Sequence, residues 1–291
     1  MSDQPLLPLD ASTIRAVVVS ALEEDRARHD ITTRALVPPD QRGRGAIVAK
    51  QHGVIAGIEV ARVTFGALSL DVEVEALCED GAGVEPGEAV AKVAGPLAAI
   101  LSGERVALNL MQRMSGIATA AREYVRRAAE GGPARVLDTR KTTPGLRDLE
   151  RYAVRAGGAH NHRNTLEDGV LVKDNHIEAA RQRGLDMAAI VAAARAGAAH
   201  TLQVEVEVDD EEMARAAIEA GADIVLLDNM SPERMRRIVE AAPVGVLFEA
   251  SGGITLETIR EVAASGVHLI SVGALTHSAP ALDISLDIEP E

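Results

Sequence analysis

From about residue 133 onward, short apolar runs alternate with Ala-rich stretches of helical periodicity, and this rhythm points the second half of the chain toward a parallel sheet. The apolar runs are ARVLDT (134–139), GVLVKD (169–174), TLQVEVEV (201–208), ADIVLLD (222–228), VGVLFEAS (244–251) and HLISVGA (268–274). The segments between them, such as 209–222 and 255–266, repeat apolar residues at helical spacing. A complete eightfold barrel takes roughly 250 residues, and only about 140 are available here. The rhythm therefore predicts an incomplete, six- to seven-stranded parallel α/β barrel, with a doubly wound open sheet as the structural alternative.

The first 115 residues read differently, as a mixed α+β sandwich domain. Ser12 or Thr13 is a candidate cap for a helix running to about Glu24. RGAIVAKQHGVIAG (44–57) reads as two short strands around a His-Gly turn, and DVEVEAL (71–77) alternates as a half-buried strand. A long helix is expected from Pro96, in its first turn, to Glu130, stopped by Gly131-Gly132-Pro133. Arg105, Asn109 and Gln112 form one polar stripe on its otherwise apolar surface. The expected division is 1–115, joined by the tail 276–291, and a barrel domain at 116–275.

Composition narrows the function classes. The net charge of −14 disfavours nucleic acid and anionic membranes as partners. The only aromatic residues are Phe65, Phe248, Tyr124 and Tyr152, too few for base-stacking platforms. Cys78 is the single cysteine, so no internal disulfide or thiolate metal site forms. No apolar run is long enough for a membrane span and the N-terminus lacks the pattern of a signal peptide, so a cytoplasmic location is expected.

Functional groups of a parallel barrel gather at the C-terminal strand ends. These ends carry Asp138-Thr139-Arg140-Lys141, Lys173-Asp174-Asn175-His176, Glu207, Asp228-Asn229, Ser251-Gly252-Gly253 and Ser271-Val272-Gly273. The last two are candidate phosphate loops, because glycine lets the backbone approach an anion closely. Glu205 and Glu207 share one strand face, and inside a barrel a carboxylate is costly unless paired or metal-bound. Glu207 and Asp228 end neighbouring strands and suit Mg²⁺ or sugar hydroxyls.

Segment 140–176 concentrates Arg140, Lys141, Arg147, His160, His162, Arg163, Lys173 and His176 in a chain with four lysines in all. His160 and His162 alternate like a metal pair, but their cationic neighbours oppose a cation. The cluster reads instead as a grip for carboxylate or phosphate. A Schiff-base role for Lys173 is the alternative, and a non-catalytic anion-binding barrel is another.

Asp138-Thr139-Arg140-Lys141-Thr142-Thr143-Pro144-Gly145-Leu146-Arg147, then Asn161-His162-Arg163, then Val172-Lys173-Asp174-Asn175-His176-Ile177 resemble the signature of the quinolinate phosphoribosyltransferase family. The resemblance extends to Asp30-Ile31-Thr32-Thr33, Ser102-Gly103-Glu104-Arg105, Leu227-Asp228-Asn229, Glu249-Ala250-Ser251-Gly252-Gly253-Ile254 and Gly273-Ala274-Leu275-Thr276-His277. Two positions depart from the family pattern: His29 replaces a usual glycine, and Ala159-His160 follows Gly157-Gly158 where further glycine is common.

The resemblance implies transfer of a phosphoribosyl group from phosphoribosyl pyrophosphate to quinolinate, with decarboxylation and with Mg²⁺ as cofactor, in NAD biosynthesis. It implies that Arg140, His162, Arg163, Lys173 and Thr139 hold quinolinate. Lys141, Glu207, Asp228, Ser251, Gly252, Gly253, Ser271, Val272 and Gly273 fall to the donor, Glu207 and Asp228 also to the metal. Lys141, Lys173, Glu207 and Asp228 are the expected catalytic residues. Arg105 is expected to reach a neighbouring subunit's site in a homodimer, with assembly into hexamers left open. A paralogue of the same fold acting on another anion is the nearest rival.

Overall fold

A computed structural model describes residues 6–290. In chain order the first elements are α1 (Ala11–Glu24), α2 (Ile31–Leu36), β1 (Arg42–Ala49), β2 (Gly53–Val54), α3 (Ile58–Leu68), β3 (Glu73–Ala76), β4 (Gly83–Val84), β5 (Ala89–Pro96) and α4 (Leu97–Ala129). Then come β6 (Arg135–Leu137), α5 (Arg147–Ala156), β7 (Val170–Val172), α6 (Asp174–Arg181), α7 (Met187–Ala196), β8 (Val204–Val208) and α8 (Glu211–Glu219). The last are β9 (Ile224–Asp228), α9 (Pro232–Ala241), β10 (Leu247–Ser251), α10 (Ile259–Ala263), β11 (Leu269–Ser271), α11 (Ala274–His277) and β12 (Ile284–Pro290).

The chain forms two compact units. One comprises the chain through Arg122, Thr142–Gly158 and the segment from Leu275, and the other comprises Glu123–Lys141 and Ala159–Ala274. Each unit is thus discontinuous in sequence, and the C-terminal tail groups with the N-terminal residues.

The first unit is built on an antiparallel sheet in the order β12-β1-β5-β3, with a two-stranded ribbon of β2 and β4. Its core is aliphatic, as the scarcity of aromatics requires: Ile47, Ile55, Val90, Ile100, Leu108 and Met111 pack with Phe65. Each such side chain contributes about 1.5–3 kcal/mol by leaving water. The α1 cap is Asp10, whose carboxylate accepts from Thr13 N at 3.0 Å. Ser12 and Thr13 lie inside the first turn and bond back to that carboxylate, so they are not the cap. Pro96 belongs to β5, where it pairs with Arg42, and α4 begins one residue later. The polar stripe on α4 also divides. Gln112 donates to the carbonyl of Ile284 at 2.7 Å and so anchors the C-terminal strand, whereas the Arg105 side chain is 61% exposed.

The second unit holds six parallel strands in the order β6-β11-β10-β9-β8-β7. Helices α6 to α10 alternate with these strands, as the repeated β-then-α rhythm requires. The strands are two to four residues shorter than their apolar runs, because ladder bonds and not hydrophobicity set their ends. No described helix is long and apolar enough to cross a membrane. The stop after α4 is set by close packing: a Cβ on Gly131 would lie 2.0 Å from the carbonyl oxygen of Arg260.

Candidate active site

Strand alternation sorts the second unit's side chains. On β8, Val204, Val206 and Val208 are buried on one face and Glu205 and Glu207 occupy the other. By the same alternation Asp228 on β9, Glu249 and Ser251 on β10 and Ser271 on β11 alternate with buried aliphatic or aromatic neighbours. Register then brings groups together: Ser251 pairs with Asp228, and Ser271 pairs with Leu137, the residue before Asp138.

Asp138 is fully buried and organises the loop that follows α5. One carboxylate oxygen accepts from the main-chain N of His162 at 2.8 Å, and the other from the Asn161 amide at 2.6 Å. Just beyond Asp138, the Thr139 hydroxyl accepts from Lys141 N at 3.1 Å, turning the chain at Arg140. The loop presents Arg163, whose guanidinium donates to the carbonyl of Gly169 at 3.1 Å. Burial, and then the nearby charge of Arg140, push the Arg163 pKa down. Arg140 itself has a buried Nε without a hydrogen-bond partner. Two cationic forks thus stand within electrostatic reach of each other, an arrangement that an anion relieves.

Lys173 precedes α6 at the end of β7, and its ammonium group forms an ion pair with the Glu207 carboxylate. His176 turns back to accept from Lys173 N through Nδ1 at 3.0 Å, which fixes the turn rather than facing a ligand. Glu207 and Asp228 line a cavity of about 310 Å³ with Asp174, Asn175, Asp209 and Arg181. Its carboxylate oxygens suit a hard dication, with the charge of Arg181 standing against one.

The glycine loop after β10 is sterically specified. Gly252 has φ +91° and Gly253 has φ +59°. A Cβ on Gly252 would come within 2.3 Å of the Asn229 side-chain oxygen, and Asn229 is itself left-handed at φ +53°. Asn229 N donates to the carbonyl of Ser251 at 2.9 Å, locking the ends of β9 and β10 together. Val272 corrects one expectation: its N–H donates to Leu137 at 2.9 Å and its side chain is buried, so it offers no amide to an anion.

Two buried carboxylates that meet at His162 escaped assignment from sequence. His162 Nε2 lies 3.4 Å from Glu205 and 3.5 Å from Glu249, and Ser271 donates to Glu249. The one usable signal was Glu205 on the same strand face as Glu207. Burial works against a charged His162, but hydrogen bonds and charge from Glu205 and Glu249 outweigh it and draw the pKa up to about 10. The main-chain N–H of Arg163, 2.7 Å from Nδ1, pulls the other way, because a second ring proton would face that donor. The same contact argues against a metal in this trio. A cation on Nε2 would need the ring's proton on Nδ1, against the Arg163 N–H. Burial also raises the Glu205 pKa. His160 stands apart as a sheet-edge residue, bridging to Leu137, with its pKa lowered by burial and by Arg135.

Family models settle the affiliation of this chain. That for the C-terminal domain of quinolinate phosphoribosyl transferase matches residues 117–287, and that for the N-terminal domain matches residues 30–115. The chain belongs to the quinolinate phosphoribosyltransferase family. It is 45% identical over 265 residues to a Bacillus subtilis protein named "Probable nicotinate-nucleotide pyrophosphorylase (carboxylating)", covering 91% of this chain and 90% of that one. It is 42% identical over 286 residues to the human carboxylating nicotinate-nucleotide pyrophosphorylase, covering 97% and 94%. Among solved structures, NadC from Streptococcus pyogenes superposes with TM-score 0.92 at 36% identity, covering 98% of this chain and 99% of that one. Within this quinolinate phosphoribosyltransferase fold, the two family models meet near residue 116, inside α4, whereas the compact units divide six residues further on, after Arg122.

Proposed function

We propose that this chain transfers the phosphoribosyl group of phosphoribosyl pyrophosphate to quinolinate and decarboxylates the adduct. The products are nicotinate mononucleotide, pyrophosphate and carbon dioxide. The observation that carries this reading is the Arg140–Arg163 pair, two cationic forks close enough for each to feel the other's charge. Quinolinate bears two adjacent carboxylates, and the charge of Arg140, Arg163 and Lys173 is of the sign that would hold them, with Thr139 and His162 as further polar groups.

Held this way, the pyridine nitrogen attacks the anomeric carbon of the ribose as pyrophosphate departs. Glu207 and Asp228 face the positive charge that develops on the ribose and accept its hydroxyls, and Lys141 meets the departing phosphates. The ring nitrogen, now quaternary, stabilises by its positive charge the electron pair left on ring carbon 2 as the 2-carboxylate leaves as carbon dioxide. The carbon so formed takes a proton from solvent. Main-chain groups at Ser251, Gly252, Gly253, Ser271 and Gly273 hold donor phosphate and sugar. The oxygen donors of Glu207 and Asp228 fit Mg²⁺, which when bound supplies neutralising charge for the pyrophosphate.

Arg105 belongs to this site by way of a second copy, in a cytoplasmic homodimer; its side chain is exposed and meets only Glu104, at 3.9 Å, among its charged neighbours. A Schiff-base role for Lys173 is disfavoured, since that amine is committed to Glu207. The deciding experiment is release of labelled carbon dioxide from quinolinate. It should require both the phosphoribosyl donor and Mg²⁺, and its absence in the purified wild-type protein would remove this reading.

A further inference from the structure

Beneath the anion grip lie three buried side chains that the reaction above leaves unused. Glu249 is 1% exposed, Glu205 4% and Ser271 5%. Their contacts form one line. Ser271 Oγ donates to Glu249, Glu249 and Glu205 converge on His162 Nε2, and His162 Nδ1 accepts from the main chain of Arg163. The line begins at the end of β11, one residue before Val272-Gly273, and ends at the loop that presents Arg163.

The cost of this arrangement is informative. Removing two carboxylates from water costs several kcal/mol each, and aliphatic residues of similar volume fill such positions at least as stably. Holding the loop is not sufficient reason to keep them. Asp138 already tethers it through His162 N and Asn161. What the two carboxylates add is the orientation of the His162 ring and, through Nδ1, of the peptide that carries Arg163.

We propose that Glu249 and Glu205 are positioning residues: by clamping His162 they set the Arg163 fork for the acceptor and tie it to the Ser271 end of the donor loop. The proposal rests on the reaction assigned above. Donor and acceptor affinities are then linked, because both loops hang from one set of contacts.

The test is steady-state kinetics with both substrates varied, on the full chain, for wild type, Glu249→Gln, Ser271→Ala and the double variant, with a melting temperature for each. Glu249→Gln should raise the quinolinate KM by about tenfold while kcat changes less than about threefold. Ser271→Ala should shift the same KM in the same direction, and the double variant should be no worse than Glu249→Gln alone. An unchanged quinolinate KM with a lowered melting temperature would reduce the carboxylates to buried packing and overturn the proposal. Effects that multiply in the double variant would also overturn it. Should Glu249→Gln fail to fold, Glu205→Gln and Ser271→Ala read the same KM. A wild-type protein without quinolinate-dependent carbon dioxide release removes the functional reading and this proposal with it. An active wild type beside a variant of unchanged KM removes the positioning role alone.

Discussion

Lys173 and Glu207 are joined by an ion pair between the ends of neighbouring strands, with the lysine the more exposed of the two. In the proposed reaction this ammonium group serves the acceptor carboxylate while Glu207 serves the ribose. Lys173→Ala should therefore cost about 3 kcal/mol of transition-state binding, roughly a hundredfold in kcat/KM for quinolinate. Steady-state assays measure this directly, and near-wild-type turnover would take Lys173 out of the site.

Arg140 and Arg163 oppose each other electrostatically without a ligand. Quinolinate should thus raise the melting temperature, with a stabilisation of about 2.7 kcal/mol at a hundred times its Kd. Arg140→Ala should leave the unliganded melting temperature unchanged or higher, because a like-charge contact is gone, and should abolish most of the ligand shift. Thermal denaturation with and without quinolinate decides this. A full ligand shift in the variant would exclude Arg140 from the grip.

If Arg105 acts in a partner's site, inactive Arg105→Ala and Lys173→Ala proteins should complement each other. Half of randomly mixed dimers are then heterodimers, each with one intact site, so activity should recover to about a quarter of wild type. Mixing, re-equilibration and assay test it. No recovery from dimers shown to have exchanged would place Arg105 outside the neighbouring site.

Glu205 and Glu249 make His162 a source of pH dependence, working against burial and against the Arg163 N–H at Nδ1. The folded pKa of His162 lies above the ordinary 6.5, so above that pH the folded chain binds more protons than the unfolded one. The stabilisation is complete below the ordinary value and is lost as pH rises toward about 10. Unfolding free energy should fall across this window, by at most about 1.4 kcal/mol per pH unit, and Glu249→Gln should flatten the slope. Denaturant titrations from pH 6 to pH 10 measure both proteins. Equal slopes would show that Glu249 is not the cause.

Local patterns carried the sequence reading a long way. Each of the six apolar runs after residue 133 contains one strand of the parallel sheet, and the switch to a mixed α+β first unit is visible in composition and turn residues. Gly252 was legible because few other residues accept a left-handed turn. All but one of the failures are non-local. Ser12 looked like a cap because nothing in the sequence shows that Asp10 reaches Thr13 N. Gln112 looked like part of a functional stripe because its partner, Ile284, lies 172 residues away. Val272 looked like an anion donor until its N–H was matched to Leu137. Glu249 and Glu205 stand on strands separated by β9, so only the assembled sheet reveals that they share one histidine.

The two larger sheets of this protein are each completed by a late strand. Among the named strands β6 pairs with β11 alone, and the edge β12 is hydrogen-bonded to β1, more than two hundred residues upstream. During synthesis the nascent protein therefore carries unpaired strand edges until β11 and β12 have left the ribosome. Such exposed edges invite association between chains. Folding should be slow for the chain's size, because these closures span most of its length. Loss of the final strand would strip the first sheet of an edge, whatever the state of the residues that do the chemistry.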